Sequence, residues 1–398
     1  MEYVMGTPYF CKVDKLKQYP YIDKDTKCDV LIIGGGIMGS IANYHISSLY
    51  DTICVDSGIL GHGCTSCSTA LLEYNLDDDA KTLKGSLSDE DIVKIYKIGQ
   101  MGLNKLHDFV NTNGNKCEYA VKDVLMYSNS AKDNASIEEE YEFLRTHGFG
   151  AILIKDRDNP YNFEISRGIL IPNGGAEVNP YLLTKQLFEL SKNQNNIYEN
   201  TKVVKIEKLK NSYICTTNLG YNITAKKVIL STGFNFELIG TPLCATATTY
   251  TIVTNKLKDF GWNNDALVQD WADPYHYMRL LPDKRIIFGG EDTDRKFDAP
   301  IDQKLATKKY DTLLKALQKI FPSIANDIKA EYTFCGAFGS TKNNVGYIGR
   351  AKDNLYYFYS MGANGIVNAF YAIDIILRQL RHDEPNYNDK FFDPNRLN

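Results

Sequence analysis

Several features that define other classes of protein are missing from this 398-residue sequence. No apolar run approaches the roughly 20 residues that cross a bilayer, and residues 1–27 lack the apolar segment of a signal peptide. Lys and Arg are spread along the chain, and the formal net charge of −4 gives no reason to expect nucleic acid as a partner. We therefore expect a soluble, cytoplasmic protein without an integral membrane segment.

Disulfide and metal patterns are missing too. The nine cysteines are an odd number without framework spacing, which favours reduced thiols. Cys64 and Cys67 form a C-x-x-C pair, but no second pair and no paired histidines supply further zinc ligands, so we expect no metal. The 43% hydrophobic and 24% charged contents are globular values, and the length favours two domains.

The most informative feature that is present is a glycine-rich turn between two apolar runs. Val30–Ile33 is typical of a strand buried on both faces of a parallel sheet. A G-x-G-x-x-G spacing follows it, with Gly34 for a tight turn, Gly36 for a close approach to a pyrophosphate and Gly39 for helix packing. A helix from Ser40 to about Leu49 would direct its N-terminal amides at the phosphates.

Asp56 ends the second apolar run, Thr52–Val55, and is placed to accept hydrogen bonds from a ribose 2′-hydroxyl. Strand, helix, second strand and carboxylate thus occur in the order of a dinucleotide-binding unit. The carboxylate argues against a 2′-phosphorylated cofactor such as NADP.

Further strands are predicted at about 200–231 and 355–360, so the dinucleotide-binding domain is discontinuous. Mostly antiparallel segments between them predict a second domain that lies over the cofactor. We expect an α/β, two-domain fold of Rossmann-like type, in which the cofactor domain comprises 1–82, 173–235 and 340–398 and the substrate domain comprises 83–172 and 236–339.

Five segments in order resemble the FAD-dependent D-amino acid oxidase/glycine oxidase superfamily, flavoproteins of the glutathione-reductase type. They are Asp29–Gly39 with Asp56, 63–72, 229–234, the 275–279 and 283–290 hairpin, and 345–349 with 361–366. The family more often has Glu at the Asp56 position, and Ala363 replaces its usual histidine. The resemblance implies non-covalent FAD, with contacts from Gly34, Gly36, Ile37, Met38, Gly39, Asp56, Ser57, Thr65, Ser66, Thr69, Ala70, Val203, Thr232, Gly233, Gly362, Ala363, Asn364, Gly365 and Ile366.

The resemblance also implies oxidation of a C–N or C–O bond, with hydride passing to flavin N5. We expect a small D-, N-methyl or cyclic amino acid, or another small amine. Arg279 is the predicted carboxylate ligand, because a guanidinium grips carboxylates bidentately. Strand alternation puts Tyr275 and Tyr277 on the same face of the strand as Arg279, and His276 on the opposite face. Two alternatives remain open. Arg279 would instead form a surface salt bridge, and His276 would have a packing role instead of a catalytic one.

Other functions also stay open. Cys64 and Cys67 beside a flavin would suit a dithiol–flavin reductase, although packing of small residues is the favoured explanation for the pair. A flavin-binding electron-transfer subunit and a hydroxy-acid or glycerol-phosphate dehydrogenase are the remaining alternatives. The electron acceptor, whether oxygen, a quinone or a carrier, cannot be read from these residues.

Overall fold

The computed structural model describes residues 3–12, 17–76, 78–258, 262, 265–296, 299–341, 343–362 and 364–397. The strands are β1 (Val4–Gly6), β2 (Thr26–Ile33), β3 (Thr52–Val55), β4 (Leu71–Glu73), β5 (Ala120–Ser128), β6 (Ile152–Lys155), β7 (Arg167–Glu177), β8 (Ile197–Tyr198), β9 (Val203–Lys208), β10 (Tyr213–Thr217), β11 (Asn222–Leu230), β12 (Ala245–Thr254), β13 (Leu267–Asp270), β14 (His276–Leu280), β15 (Ile286–Arg295), β16 (Ala330–Ser340), β17 (Tyr347–Lys352) and β18 (Leu355–Tyr359). The α-helices are α1 (Ile37–Ile46), α2 (Cys64–Cys67), α3 (Ala80–Leu83), α4 (Asp89–Asn113), α5 (Asn134–Thr146), α6 (Pro180–Leu190), α7 (Gln303–Ile320) and α8 (Gly365–Arg381). Within these ranges, no helix is long and apolar enough to span a membrane.

The smaller of the two sheets has a parallel core. Its strand order is β17-β18-β11-β2-β3-β8, and β18, β11, β2, β3 and β8 run parallel to one another. The antiparallel meander β9-β10-β11 extends this sheet from β11. Val30–Ile33 at the end of β2 and all four residues of β3 are buried, and all of them except Thr52 are apolar, which is what strands covered on both faces require.

The larger sheet is mostly antiparallel and runs β1-β16-β12-β15-β14-β13-β5-β7-β4, with β6 paired to β7. The predicted hairpin is present as β14 and β15, in register from His276 opposite Gly290 to Leu280 opposite Ile286. The mixed two-sheet α/β architecture expected from the sequence is therefore confirmed. Strands β1 and β4 belong to this larger sheet, although the segment predicted for the cofactor domain, residues 1–82, contains both.

Helix α1 begins three residues before the position predicted from the sequence. Gly36 is its N-cap residue, and the first helical amide, that of Ile37, donates to Thr65 Oγ1 at 3.0 Å. A side chain 28 residues away thus caps the helix, which a local pattern could not reveal. At the other end of the chain, α8 begins at Gly365 as predicted, and α4 packs so closely on it that a Cβ on Gly102 would lie 2.2 Å from Val367 O.

Candidate active site

A cavity of about 930 Å³ lies where the two sheets meet. Residues at the carboxyl ends of four parallel strands line one side, where β2, β3, β11 and β18 end. Residues of β4, β5, β12, β13, β14 and β16 in the larger sheet line the other side. The volume is at the upper end for a small-molecule site, and parallel sheets bind nucleotides at this edge.

The glycine-rich turn forms the floor of the cavity. Gly34 has a φ of +112°, and a Cβ there would lie 2.3 Å from Ser231 O, so only glycine fits. Gly39 does not line the cavity, but a Cβ on it would lie 1.7 Å from Gly34 O, which explains why α1 can pack so close to β2. Gly36, Ile37 and Met38 at the start of α1 all face the cavity.

The Asp56 carboxylate is held rigidly at the end of β3. Its Oδ2 accepts from the Gly35 amide at 2.6 Å, and its Oδ1 accepts from the Gly58 amide at 2.8 Å. Burial raises the pKa of Asp56 although both amides oppose that shift. Each oxygen retains a second lone pair, so the carboxylate can still accept from a ribose hydroxyl. Ser57 lines the cavity beside it.

The loop 63–70 crosses the cavity and contains three of the predicted cofactor residues that line it: Thr65, Thr69 and Ala70. The fourth, Ser66, is buried away from the lining, where its hydroxyl donates to Gly63 O at 2.8 Å. Ala70 has a φ of +51°, a left-handed conformation in which the loop turns into β4. The loop therefore lines the cavity before the chain enters β4.

Two further turns complete the cradle. Val203, at the start of β9, and Thr232 and Gly233, after β11, line the cavity. The Thr232 hydroxyl is 2.9 Å from Tyr359 OH. At the start of α8, the Asn364 side chain accepts from the Glu73 amide at 2.9 Å and donates to Asn75 O at 2.5 Å.

Asn364 therefore ties the α8 turn to β4. Gly362, Gly365 and Ile366 also line the cavity, whereas the predicted contact at Ala363 lies outside the described residues.

Tyr275 and Tyr277 line the part of the cavity formed by the larger sheet, and their contact with a substrate stays a prediction. The Tyr277 hydroxyl is 2.8 Å from Thr249 Oγ1, and Gln269 donates to Glu73 Oε1 at 2.8 Å. The Tyr277 ring lies across Gly289, where a Cβ would come within 2.5 Å of it. With Trp271, these side chains form a chamber with an aromatic wall and hydroxyl and amide groups.

The structure does not bring Arg279 into this chamber. Its side chain is 2% exposed, and its Nε donates to Thr69 O, its Nη1 to Glu177 Oε2 and its Nη2 to Val178 O, each at 2.8 Å. Alternation along β14 is as predicted, but the Arg279 guanidinium lies behind the Thr69 loop. Lys122 Nζ shares Glu177 at 3.2 Å. Because these acceptors within the protein use the donors of the guanidinium, Arg279 supports the loop that contains Thr69.

His276 is likewise outside the lining. Its Nδ1 is 2.8 Å from Asp270 Oδ2, its Nε2 is 3.5 Å from Glu291 Oε1, and its ring stacks on Phe288. Burial alone lowers the pKa of His276, but the hydrogen bond and negative charge of Asp270, with Glu291, raise it above its ordinary value. An imidazole that is enclosed between two carboxylates and stacked on Phe288 suits the packing role rather than that of a base.

Both cysteines of the C-x-x-C pair line the cavity, and all nine cysteines are free thiols. Cys64 Sγ faces Tyr3 O at 3.8 Å, and Cys67 Sγ faces Cys335 O at 3.6 Å. Burial raises the pKa of Cys64 to about 11 and raises that of Cys67 well above its usual range. Thiols at these positions are protonated and poor nucleophiles.

Sequence reasoning missed an acidic wall of the cavity, formed by Asp78, Asp79 and Glu140. Glu140 is 5% exposed, and burial raises its pKa to about 7. A signal was present in the sequence, because Glu140 lies three residues from both Ile137 and Phe143 on the apolar face of α5. A carboxylate at such a position is unusual and marks a site to inspect.

Three features of the cavity fit a dinucleotide cofactor. They are the glycine turn that lines the cavity, the N-terminus of helix α1, and the fixed carboxylate of Asp56.

Comparison with known proteins agrees. The sequence matches the family described as FAD dependent oxidoreductase (DAO) over residues 29–376. Gamma-glutamylputrescine oxidoreductase of Escherichia coli K12 is 21% identical over 393 residues, which cover 95% of this chain and 89% of that protein.

Solved structures share the fold. L-proline dehydrogenase from P. horikoshii superposes with a TM-score of 0.77 and 15% identity, over 94% of this chain and 98% of that one. Glycine oxidase from Geobacillus kaustophilus gives a TM-score of 0.75 and 15% identity, over 92% and 98%. With a family match across most of its length, the chain belongs to the DAO family of FAD-dependent oxidoreductases.

Proposed function

We propose that this enzyme oxidises the C–N bond of a small amine or amino acid, of D-, N-methyl or cyclic type, with FAD held non-covalently. The observation that carries this proposal is a single cavity that joins the dinucleotide cradle to the chamber around Tyr277. When bound, FAD supplies the acceptor for the hydride that leaves the carbon next to nitrogen.

The cradle residues have separate roles in this proposal. The Gly34–Gly36 turn and the start of α1 bind the pyrophosphate, and Asp56 accepts from the ribose. Gly362, Gly365 and Ile366 line the cavity, so the N-terminal amides and positive dipole end of α8 would stabilise negative charge on a bound flavin. Arg279 acts indirectly, because it donates to Thr69 O and so holds the loop 63–70 that lines the cavity.

The chamber residues would orient the substrate and exclude water. The Tyr277–Thr249 hydrogen bond fixes one hydroxyl pair, and Gln269 is fixed by Glu73. Tyr275 and Trp271 add aromatic surface that covers an aliphatic substrate. An amine reacts once it is neutral, and no strong base is needed to deprotonate carbon.

Known relatives support a nitrogen-bearing substrate. By their names, the three similar proteins act on gamma-glutamylputrescine, L-proline and glycine. Two alternatives have less support in the structure. The raised pKa values of Cys64 and Cys67 disfavour a dithiol reductase. Lys202, the one basic residue among the described residues of the lining, is paired with Glu237 at 2.8 Å, so no free cation awaits a phosphate ester.

Anaerobic flavin reduction tests the proposal. The purified protein is mixed without oxygen with D-, N-methyl and cyclic amino acids and with simple amines, and flavin absorbance is followed. Bleaching by one of these classes is expected. Release of flavin into the supernatant after acid denaturation would establish that it is not covalently bound.

A matched pair of variants makes the test specific. Tyr277→Phe removes the hydroxyl that faces Thr249 and is expected to slow reduction, while Tyr387→Phe, on an exposed tyrosine remote from the cavity, leaves it unchanged. Reduction by dithiols or by hydroxy acids, with no bleaching by any amine, would overturn the proposal.

A further inference from the structure

Asp292 is a partly buried carboxyl on β15 that lies outside the lining of the cavity. Two residues that do line the cavity reach it. The Tyr275 hydroxyl donates to Asp292 Oδ2 at 3.3 Å, and the Thr249 side chain also hydrogen-bonds to this carboxyl. Because the Tyr277 hydroxyl is 2.8 Å from Thr249 Oγ1, a chain of hydroxyls connects the chamber with Asp292.

A β-bulge gives Asp292 this position. The register between β12 and β15 shifts at Thr249, which alone faces both Glu291 and Asp292. Glu291 has a φ of +59°, a left-handed conformation that is uncommon for a residue other than glycine. A bulge of this kind bends its strand and changes the direction of the side chains that follow.

Alternation along a regular strand would turn Asp292 away from the chamber. Phe288 stacks on His276, on the face of the sheet opposite to Tyr275, and a residue four positions after Phe288 would share that face. The bulge reverses the order. Glu291 Oε1 lies 3.5 Å from His276 Nε2 on the far face, whereas Asp292 meets the Tyr275 hydroxyl on the chamber side.

The electrostatic surroundings suit a group that gains and loses a proton. Burial raises the pKa of Asp292, and hydrogen bonds from the two hydroxyls oppose that shift. Of the charged groups nearby, Lys309 on α7 lowers the pKa of Asp292 and Glu291 raises it, but Lys309 Nζ is engaged by Glu291 Oε2 at 2.8 Å. From β12, Asp292 also faces the neutral phenol of Tyr250.

An ionised Asp292 sets the direction of the hydroxyl chain. A carboxylate only accepts hydrogen bonds, so Thr249 donates to Asp292 and accepts from Tyr277. The Tyr277 oxygen is then an acceptor for a donor in the chamber. An ammonium only donates, so it matches this arrangement.

We propose that Asp292 takes up the proton that a substrate ammonium loses before it is oxidised, and that Tyr277 and Thr249 pass this proton on. The ammonium N–H bond breaks as the Tyr277 oxygen gains the proton, and the electron pair of that bond stays on nitrogen. Tyr277 gives its own hydroxyl proton to Thr249, which gives its own to the Asp292 carboxylate. Each hydroxyl ends with one proton, the amine is neutral, and Asp292 is a carboxylic acid that later releases its proton to solvent. This inference rests on the proposed amine oxidation.

The rate of anaerobic flavin reduction, followed by stopped-flow absorbance from about pH 6 to about pH 10, tests the relay. The probes are butylamine, N-methylglycine and proline, each at a saturating concentration. Asp292→Asn should be at least tenfold slower than wild type near pH 7, because the proton has no acceptor. Its rate should rise by up to about tenfold per pH unit and approach the wild-type rate near pH 10, where the amine enters neutral.

Three further variants make the test specific. Thr249→Val removes the hydroxyl at a similar volume and should give the same steep pH dependence as Asp292→Asn. Thr249→Ser keeps a hydroxyl and should keep the shape of the wild-type profile. Asp294→Asn is the matched control, because Asp294 lies on the same strand, is exposed and is outside the lining. Flavin content and Tm show that each variant is folded.

The outcomes separate this inference from amine oxidation. Parallel pH profiles for wild type and Asp292→Asn overturn the inference, since a purely structural role lowers the rate by one factor at every pH, while amine oxidation stands. A wild-type profile in Thr249→Val overturns the relay in the same way. If Asp292→Asn loses its flavin, the contrast between Thr249→Val and Thr249→Ser decides. If no amine reduces the flavin of the wild-type protein, amine oxidation fails and the inference fails with it.

Discussion

Replacing Arg279 with methionine separates two roles for this residue, substrate binding and structural support. In the wild-type protein the guanidinium satisfies Thr69 O, Val178 O and the buried Glu177 carboxylate. Methionine keeps the length of the side chain but supplies no donor. Removing one partner of a buried ion pair lowers the free energy of unfolding by about 3–5 kcal/mol, because the charge of the other partner is left uncompensated.

The size of the effect follows from the residues that remain. Lys122 stays 3.2 Å from Glu177, which favours the lower end of that range. With about 2.1 cal/mol/K of unfolding entropy per residue, a chain of 398 residues loses about 4 °C in Tm for 3 kcal/mol. Adding Glu177→Leu to Arg279→Met should recover part of this loss, since the orphaned charge is then gone.

Thermal unfolding of the holoenzyme by circular dichroism and flavin fluorescence checks this prediction. Arg145→Met serves as the control, because Arg145 pairs with Glu142 on the exposed surface of α5, where an ion pair contributes little to stability. A variant at Arg279 with unchanged Tm, but with a tenfold higher KM for a carboxylate-bearing substrate, would refute the structural role and restore the carboxylate-binding one.

Three further predictions concern the cavity itself. Glu140 has a pKa of about 7 in the folded protein, against 4.5 for an ordinary glutamate carboxyl. Its contribution to the free energy of unfolding therefore falls as pH rises from about 4.5 to 7. Glu140→Gln should raise the free energy of unfolding by about 3 kcal/mol at pH 8 and change it little at pH 5. Parallel Tm series of both proteins check this, and a pH-independent difference contradicts it. Asp56→Asn should weaken FAD binding about tenfold or more, measured by flavin release on ultrafiltration, because a charged acceptor contributes about 1.5–3 kcal/mol; wild-type retention would contradict the ribose role. Cys67→Ser should change the rate of flavin reduction by amines less than about twofold, since burial keeps the thiol protonated; stopped-flow rates decide, and abolished reduction would favour the dithiol reductase.

The dinucleotide cradle was predictable from the sequence because its determinants are local. Gly34 and Gly39 act within six residues of each other, and Asp56 follows the very next strand. A short stretch of sequence shows both the positions that require glycine and the order of strand, helix and second strand. The start of α1 was misplaced for the opposite reason, since Thr65 provides its cap from another loop.

Arg279 shows where such reasoning stops. Its side on β14 followed correctly from strand alternation, but its partners did not, because Glu177 lies 102 residues away and Thr69 lies 210 residues away. The acidic wall has the same origin: Glu140 meets the Ala80 amide across 60 residues. A residue type predicts which chemistry is possible, whereas long-range packing decides whether the side chain faces a ligand or another part of the chain.

The burial of Arg279 has a direct electrostatic consequence for substrate choice. A guanidinium in the chamber would offset the acidic wall and suit a zwitterionic amino acid, but this one is already matched to Glu177 behind the Thr69 loop. A substrate carboxylate that entered the cavity would lose its hydration without gaining a cation, which is costly. The ion pair that stabilises the loop therefore keeps the Arg279 guanidinium from a substrate carboxylate in the chamber.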